Sequence, residues 1–245
     1  MRVEVSPGTN DIFWSPWFGC FPISEACANC YIRAWNKFED EYYPRDFASV
    51  PPHTLVVVGL NTDFFLPEAD KYRTAVWNTI KSHPQLIFEI ITKRVDRVQE
   101  CLPKDWGSGY ANVILAVTAE TNVRANERIP LFLNIPCKHR WILCTPTLSE
   151  IDLAPYLKTN KIEAVLTSGE RSRRIPARIT RWEWIKKISE TCKEYNVYHK
   201  ILHLGERFVI ADTTSQPDYS PCFKSLRSTS QKLDNVKLLE FELEE

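Results

Sequence analysis

The 245-residue chain balances 31 Lys plus Arg against 31 Asp plus Glu. A net charge of zero argues against a membrane-surface protein or a general nucleic-acid binder and restricts any polyanion site to a local patch. Hydrophobic residues make up 44%, enough for a sizeable core in one large domain or two small ones.

In chain order, "MRVEVSPGTND" lacks the apolar run of a signal peptide, and no window reaches the ~18 apolar residues needed to cross a bilayer. A cytoplasmic protein without membrane partners is therefore expected, with its eight cysteines reduced and inclined to metal binding or chemistry over disulfides. The apolar segment "IFWSPWFG" leads to Cys20. A helix is expected over 24–38, with Ser24 as N-cap and Glu25 in the first turn. Buried strands are expected at "TLVVVGL" (54–60), "LIFEIIT" (86–92), "NVILAVTAE" (112–120), "HRWILCTP" (139–146), "IEAVLTSGE" (162–170) and "VYHKILHLG" (197–205). Each is short, apolar and rich in Val, Ile and aromatics, as parallel strands covered on both faces are. Helices are expected between them at 67–82, 95–102, 123–134, about 149–158 and 181–195. In the last, Trp182, Ile185, Ile188 and Cys192 recur at helical spacing, and Thr180 is placed to cap it.

This alternation means right-handed βαβ units and an α/β fold, a parallel β/α barrel, full or partial. The barrel is assigned to residues 1–205. Pro- and Ser-rich sequence from 206 breaks the pattern, so 206–245 is expected to be an appendage packed on the barrel, its end an added strand or a docking tail.

Chemistry in parallel β/α folds gathers at the carboxyl ends of the strands. Those ends carry Asn61, Thr62 and Asp63; Thr92, Lys93 and Arg94; Thr118 and Glu120; Ser168, Gly169 and Glu170; then His203, Gly205 and Glu206. Hydroxyls, carboxylates and cations there read as a functional mouth, although a hydroxyl such as that of Thr92 also suits a helix cap.

Cys20, Cys27 and Cys30 are spaced C-x6-C-x2-C just before the mouth residues begin. The residues alone admit several readings. A structural zinc needs a fourth ligand, and Cys101, Cys137, Cys144, Cys192 and Cys222 offer no second close pair. An iron–sulfur cluster on three cysteines leaves one iron open for a ligand. Alternatively the three are small buried hydrophobes, as Cys144 and Cys192 are expected to be.

The run "FWSPWFGCFPISEACANCYIRAW" resembles the opening motif of an uncharacterised, phage-associated family of the radical S-adenosylmethionine (radical SAM) superfamily, and its Cys–Tyr ending is distantly similar to that of spore photoproduct lyase. "TDFF", "ITKR", "ANERIP" and "TSGE" extend the resemblance from about residue 10 to 205. It implies a barrel enzyme with a [4Fe–4S] cluster on Cys20, Cys27 and Cys30, whose open iron chelates SAM. One electron from a donor protein then cleaves SAM to a 5′-deoxyadenosyl radical that abstracts hydrogen from a substrate. Two departures stand out: the usual superfamily spacing is C-x3-C-x2-C, and Leu60, Asn61 and Thr62 occupy the place of the usual Gly–Gly–Glu.

Under that resemblance Asn61, Asp63, Thr118 and Glu120 are candidate acceptors for the SAM ammonium and ribose. Thr92, Lys93, Ser168 and Glu170 join them as cofactor contacts, with Gly169 allowing close backbone approach. Tyr31 either shields the cluster or packs in the core. Arg94 is placed on a SAM carboxylate or a substrate phosphate. Arg171, Arg173, Arg174, Arg178 and Arg181 fall within eleven residues with no acid among them. That run suggests a phosphate-bearing substrate, a nucleotide or nucleic acid strand, with Trp14, Trp17, Phe18 and Phe21 able to stack a base. The alternative is a non-catalytic barrel, braced by zinc, that binds nucleic acid.

Overall fold

A computed structural model describes residues 2–4, 11–32, 36–172, 175–210 and 240–242. Seven strands form one parallel sheet: β2 (Ile12–Trp14), β5 (Leu55–Val58), β6 (Ile87–Thr92), β7 (Val113–Thr118), β8 (His139–Cys144), β9 (Ala164–Ser168) and β11 (Tyr198–His203). Their spatial order is their chain order. Three short pairs complete the strands: β1 (Arg2–Glu4) antiparallel to β13 (Glu240–Glu242), β3 (Phe18–Cys20) antiparallel to β4 (Lys37–Glu39), and β10 (Thr180–Arg181) parallel to β12 (Phe208–Val209). The helices are α1 (Asp70–Lys81), α2 (Val95–Cys101), α3 (Asn122–Phe132), α4 (Ala154–Leu157) and α5 (Trp182–Glu194).

A sheet wound always in one direction puts its right-handed crossover helices on one face. The buried side chains separate accordingly. Val56, Val58, Phe88, Ile90, Leu115, Val117, Ile142 and Val165 pack with Val76, Trp77 and Ile80 of α1, Ile129 and Phe132 of α3, and Ile188 and Cys192 of α5. The alternate residues Leu55, Val57, Ile87, Ile114, Ala116, Trp141, Leu143, Ala164 and Leu166 form a second cluster built from strands alone. The period of two along each strand thus divides an outer, helix-covered face from an inner one. The sheet curls round that inner face into a half-barrel whose edge strands, β2 and β11, are not paired to each other among the described residues. Glu89, 4% exposed, shares the inner face of β6 with Ile87 and Ile91.

The partial form of the expected barrel is therefore the one found, and its strands and longer helices lie where the apolar runs and the 3.6-residue period place them; the helix expected at about 149–158 is a single turn, Ala154–Leu157. Cys144 and Cys192 are fully buried, as expected, and burial pushes the Cys192 thiol up to about 12. Two expectations fail. The helix expected over 24–38 is not found among its described residues: Glu25–Asn29 make a short 3-10 turn, Cys30 is extended, and Asn36, with φ of 57°, turns the chain into β4. Thr180 does not cap α5; it lies in β10 and its hydroxyl donates to the Thr147 carbonyl at 3.3 Å. Most of the expected appendage lies outside the described residues. Its described parts are residues 206–210, which include β12, and β13, which pairs with β1.

Candidate functional site

The cysteine loop is a hairpin insert. β3 and β4 close its base, with Asn36 N–H on the Cys20 carbonyl at 2.8 Å. Gly19 makes that closure possible: its φ is 101°, a left-handed backbone that disfavours a side chain, and a Cβ there would collide with the Lys37 carbonyl.

The carboxyl ends of the strands hold this loop over the mouth of the half-barrel. After β5, the Thr62 hydroxyl donates to the Gly19 carbonyl at 2.6 Å, and Tyr31, part-exposed, donates to the Leu60 carbonyl at 2.8 Å. After β6, Arg94 Nη2 donates to the Phe21 carbonyl at 2.8 Å. At the start of α3, the Thr121 hydroxyl and Arg124 Nε each reach the Glu25 carboxylate at 2.9 Å. Burial pushes that carboxyl up, but those bonds outweigh it and hold it down at about 2. After β9, Glu170 accepts from Asn29 Nδ2 at 2.7 Å, while Arg178 ties the same carboxylate to the Glu25 carbonyl, the latter at 2.9 Å.

All three thiols are free of disulfides. Arg94 Nη1 lies 3.6 Å from Cys20 Sγ, and the Ser24 hydroxyl 3.6 Å from Cys27 Sγ. Burial and the Asp63 carboxylate push Cys20 up to about 11, against the pull of Arg94. Burial also raises Cys27, but the Lys93 ammonium and hydrogen bonds from Ile23 and Ser24 outweigh it and leave the thiol below its ordinary value. Burial lowers the Lys93 ammonium, with the Cys27 and Cys30 thiolates pulling the other way.

Behind the loop lie two buried ionic knots. Asp63 accepts from the Thr92 hydroxyl at 2.8 Å, Lys93 N–H at 2.9 Å and Phe65 N–H at 3.0 Å, and pairs with Arg94 at 3.2 Å. Glu120, fully buried, pairs with Lys93 and, at 2.8 Å, with Arg128. Thr118 joins this knot, its hydroxyl 3.4 Å from Lys93 Nζ and 3.3 Å from Arg128 Nη1.

The expected mouth residues Asn61, Asp63, Thr92, Lys93, Arg94, Thr118, Glu120, Ser168 and Glu170 thus do sit at the carboxyl ends of the strands. Asn61 contacts Ser15 Oγ at 3.4 Å, and Ser168 is buried at the inner end of β9. Gly169 has the expected close approach, since a Cβ would collide with the Leu204 carbonyl. Arg94 faces Cys20, not open solvent. Arg171 is exposed, Arg173 and Arg174 lie outside the described residues, and Arg178 is engaged with Glu170. Trp14 and Trp17 are not stacking platforms: they are 3% and 0% exposed, with their indole N–H groups on the Tyr43 and Asp63 carbonyls. Asn29 and Arg128 are the residues that the sequence reading passed over. Signals existed, since Asn29 lies between Cys27 and Cys30, and Arg128 within "ANERIP".

Among the described residues, no three or more His, Cys, Asp or Glu side chains converge as a single metal ion requires. No helix among them is long and apolar enough to cross a membrane. A family model described as a protein of unknown function (DUF5131) matches residues 45–217, which include these strand-end partners and begin after the cysteine loop. No curated protein and no solved structure matches the chain.

Proposed function

The chain belongs to the family of proteins of unknown function DUF5131, and from its mouth geometry we propose that it is a radical SAM enzyme, with Cys20, Cys27 and Cys30 holding a [4Fe–4S] cluster. The observation that carries this reading is the placement of three thiols, none in a disulfide, on one loop pinned to the carboxyl ends of four strands, where parallel β/α folds put their chemistry.

The donor set fits the group. In a cubane cluster each thiolate binds a different iron, so three sulfurs need not converge on one point. Arg94 and Lys93 bring positive charge against the sulfurs, which offsets the cost of gathering thiolates in a half-buried site. The Asn29 side-chain oxygen is buried without a partner beside Cys30, an acceptor ready for a bound donor.

When bound, the cluster and SAM supply one-electron cleavage and hydrogen abstraction, the superfamily chemistry. The chain's own residues do the rest. Glu170, Arg178 and Glu25 fix the loop, Asp63 aims Arg94, and Glu120 aims Lys93. The inner apolar cluster keeps water from the space below the mouth. Ser168 and Asn61 remain the polar contacts assigned to SAM, and exposed Arg171 the contact assigned to a phosphate-bearing substrate, with an electron-donor protein as partner.

The test is formation of 5′-deoxyadenosine from SAM by anaerobically reconstituted protein under a strong reductant. It is expected with the native chain and absent in each of the Cys20→Ser, Cys27→Ser and Cys30→Ser variants. Equal product from native and variant chains refutes the reading.

A further inference from the structure

The chain invests a buried ion pair in the first cysteine of the loop. Arg94 and Asp63 side chains are 8% and 5% exposed and meet at 3.2 Å. Asp63 is immobilised by three further donors: the Thr92 hydroxyl, Lys93 N–H and Phe65 N–H. Thr92 accepts Arg94 N–H at 2.8 Å, which fixes the backbone that carries the guanidinium. The guanidinium then has one direction left. It places Nη2 on the Phe21 carbonyl at 2.8 Å and Nη1 3.6 Å from Cys20 Sγ, within the longer reach of sulfur.

A brace for the loop needs only the carbonyl bond. A guanidinium aimed at a ligand sulfur does something else: it places a permanent positive charge, with a donated hydrogen bond, on a cluster ligand in a poorly solvated setting. Resting on the cluster assignment above, we propose that Arg94, aimed by Asp63, is a positioning residue that sets the reduction potential of the cluster through Cys20. The step is a one-electron reduction: a low-potential one-electron donor gives up the electron, and the net charge of the site becomes more negative by one. A donor at Sγ stabilises the more negative state more, so Arg94 raises the potential. The carboxylate of Asp63 partly opposes that effect, so the two residues carry opposite signs.

The experiment is an anaerobic redox titration of the full reconstituted chain, followed by electron paramagnetic resonance, with iron counted in every sample and no SAM present. Arg94→Gln is expected to disfavour reduction by about tenfold, a shift of about 59 mV to more negative potential. Asp63→Asn is expected to shift it the other way, toward positive potential. Variants that hold full iron yet share the native midpoint overturn the inference and leave the cluster assignment standing. Variants that hold no iron while the native chain does make the pair a loop brace, and equally overturn it. A native chain without iron overturns both.

Discussion

Removing Glu170 tests the attachment of the loop to the half-barrel. Its carboxylate, 3% exposed, accepts from Asn29 Nδ2 at 2.7 Å, Arg178 N–H at 2.7 Å and Arg178 Nε at 3.1 Å, besides the pairing with Nη2. Hydrogen bonds to a charged group contribute about 1.5–3 kcal/mol each and are not additive. The Arg178 side chain is 35% exposed, so water recovers part of its share. Asn29, 1% exposed, recovers little. Glu170→Ala is therefore expected to cost about 3 kcal/mol in the metal-free protein, which for a chain of this size lowers Tm by about 6–12 °C. The released loop should also expose Cys27, now 6% exposed, to faster labelling by a thiol reagent under native conditions. Thermal unfolding and labelling kinetics read the two effects. A loss below about 1 kcal/mol with unchanged labelling would show that Glu170 does not hold the loop.

Other substitutions probe the half-barrel beneath. Burial, and secondarily Asp11, pushes the Glu89 carboxyl up to about 8, above its unfolded 4.5, with Lys200 opposing. Its stabilising protonation is therefore fully present below pH 4.5 and lost as pH rises through 8. Glu89→Gln should gain stability relative to the native chain between pH 5 and 9, with an upper limit of about 5 kcal/mol; a pH-independent difference in urea unfolding would contradict this. Arg128→Ala leaves the fully buried Glu120 with a single cation, Lys93, among its described partners and should cost about 3–5 kcal/mol. Arg97→Ala, whose partner Asp70 is half exposed, should cost under about 1 kcal/mol, and equal losses in denaturant titrations would refute that ranking. Gly169→Ala drives a methyl into the Leu204 carbonyl and should abolish soluble expression or lower Tm sharply; a native-like melting curve would show that β9 and the turn after β11 can separate.

How far the sequence reached follows from where each conformation is decided. Strands such as Val113–Thr118 and Ile87–Thr92 are buried on both faces, so their composition alone marks them, and their one-way order follows from alternation with helices. The loop at 24–38 is decided elsewhere in the chain. Ser24 and Glu25 are good helix-start residues, yet the Ser24 hydroxyl lies against Cys27 Sγ and the Glu25 carboxylate is taken by Thr121 and Arg124, nearly a hundred residues away. No local pattern encodes such partners. One arginine of the run is engaged in the same way: no acid lies within the run, but Glu170 reaches Arg178 across a turn. Likewise the carboxylate of Asp63 faces Arg94, whose partner at Cys20 is 74 residues distant. Periodicity marks which faces are buried; it does not say which charges meet at the strand ends.

The iron and sulfide content of the anaerobically reconstituted chain tests the cluster on Cys20, Cys27 and Cys30 most directly. About four irons and four sulfides per native chain are expected, brown in colour, and lost in Cys27→Ser. A colourless native chain, or one that binds a single zinc instead, would contradict it.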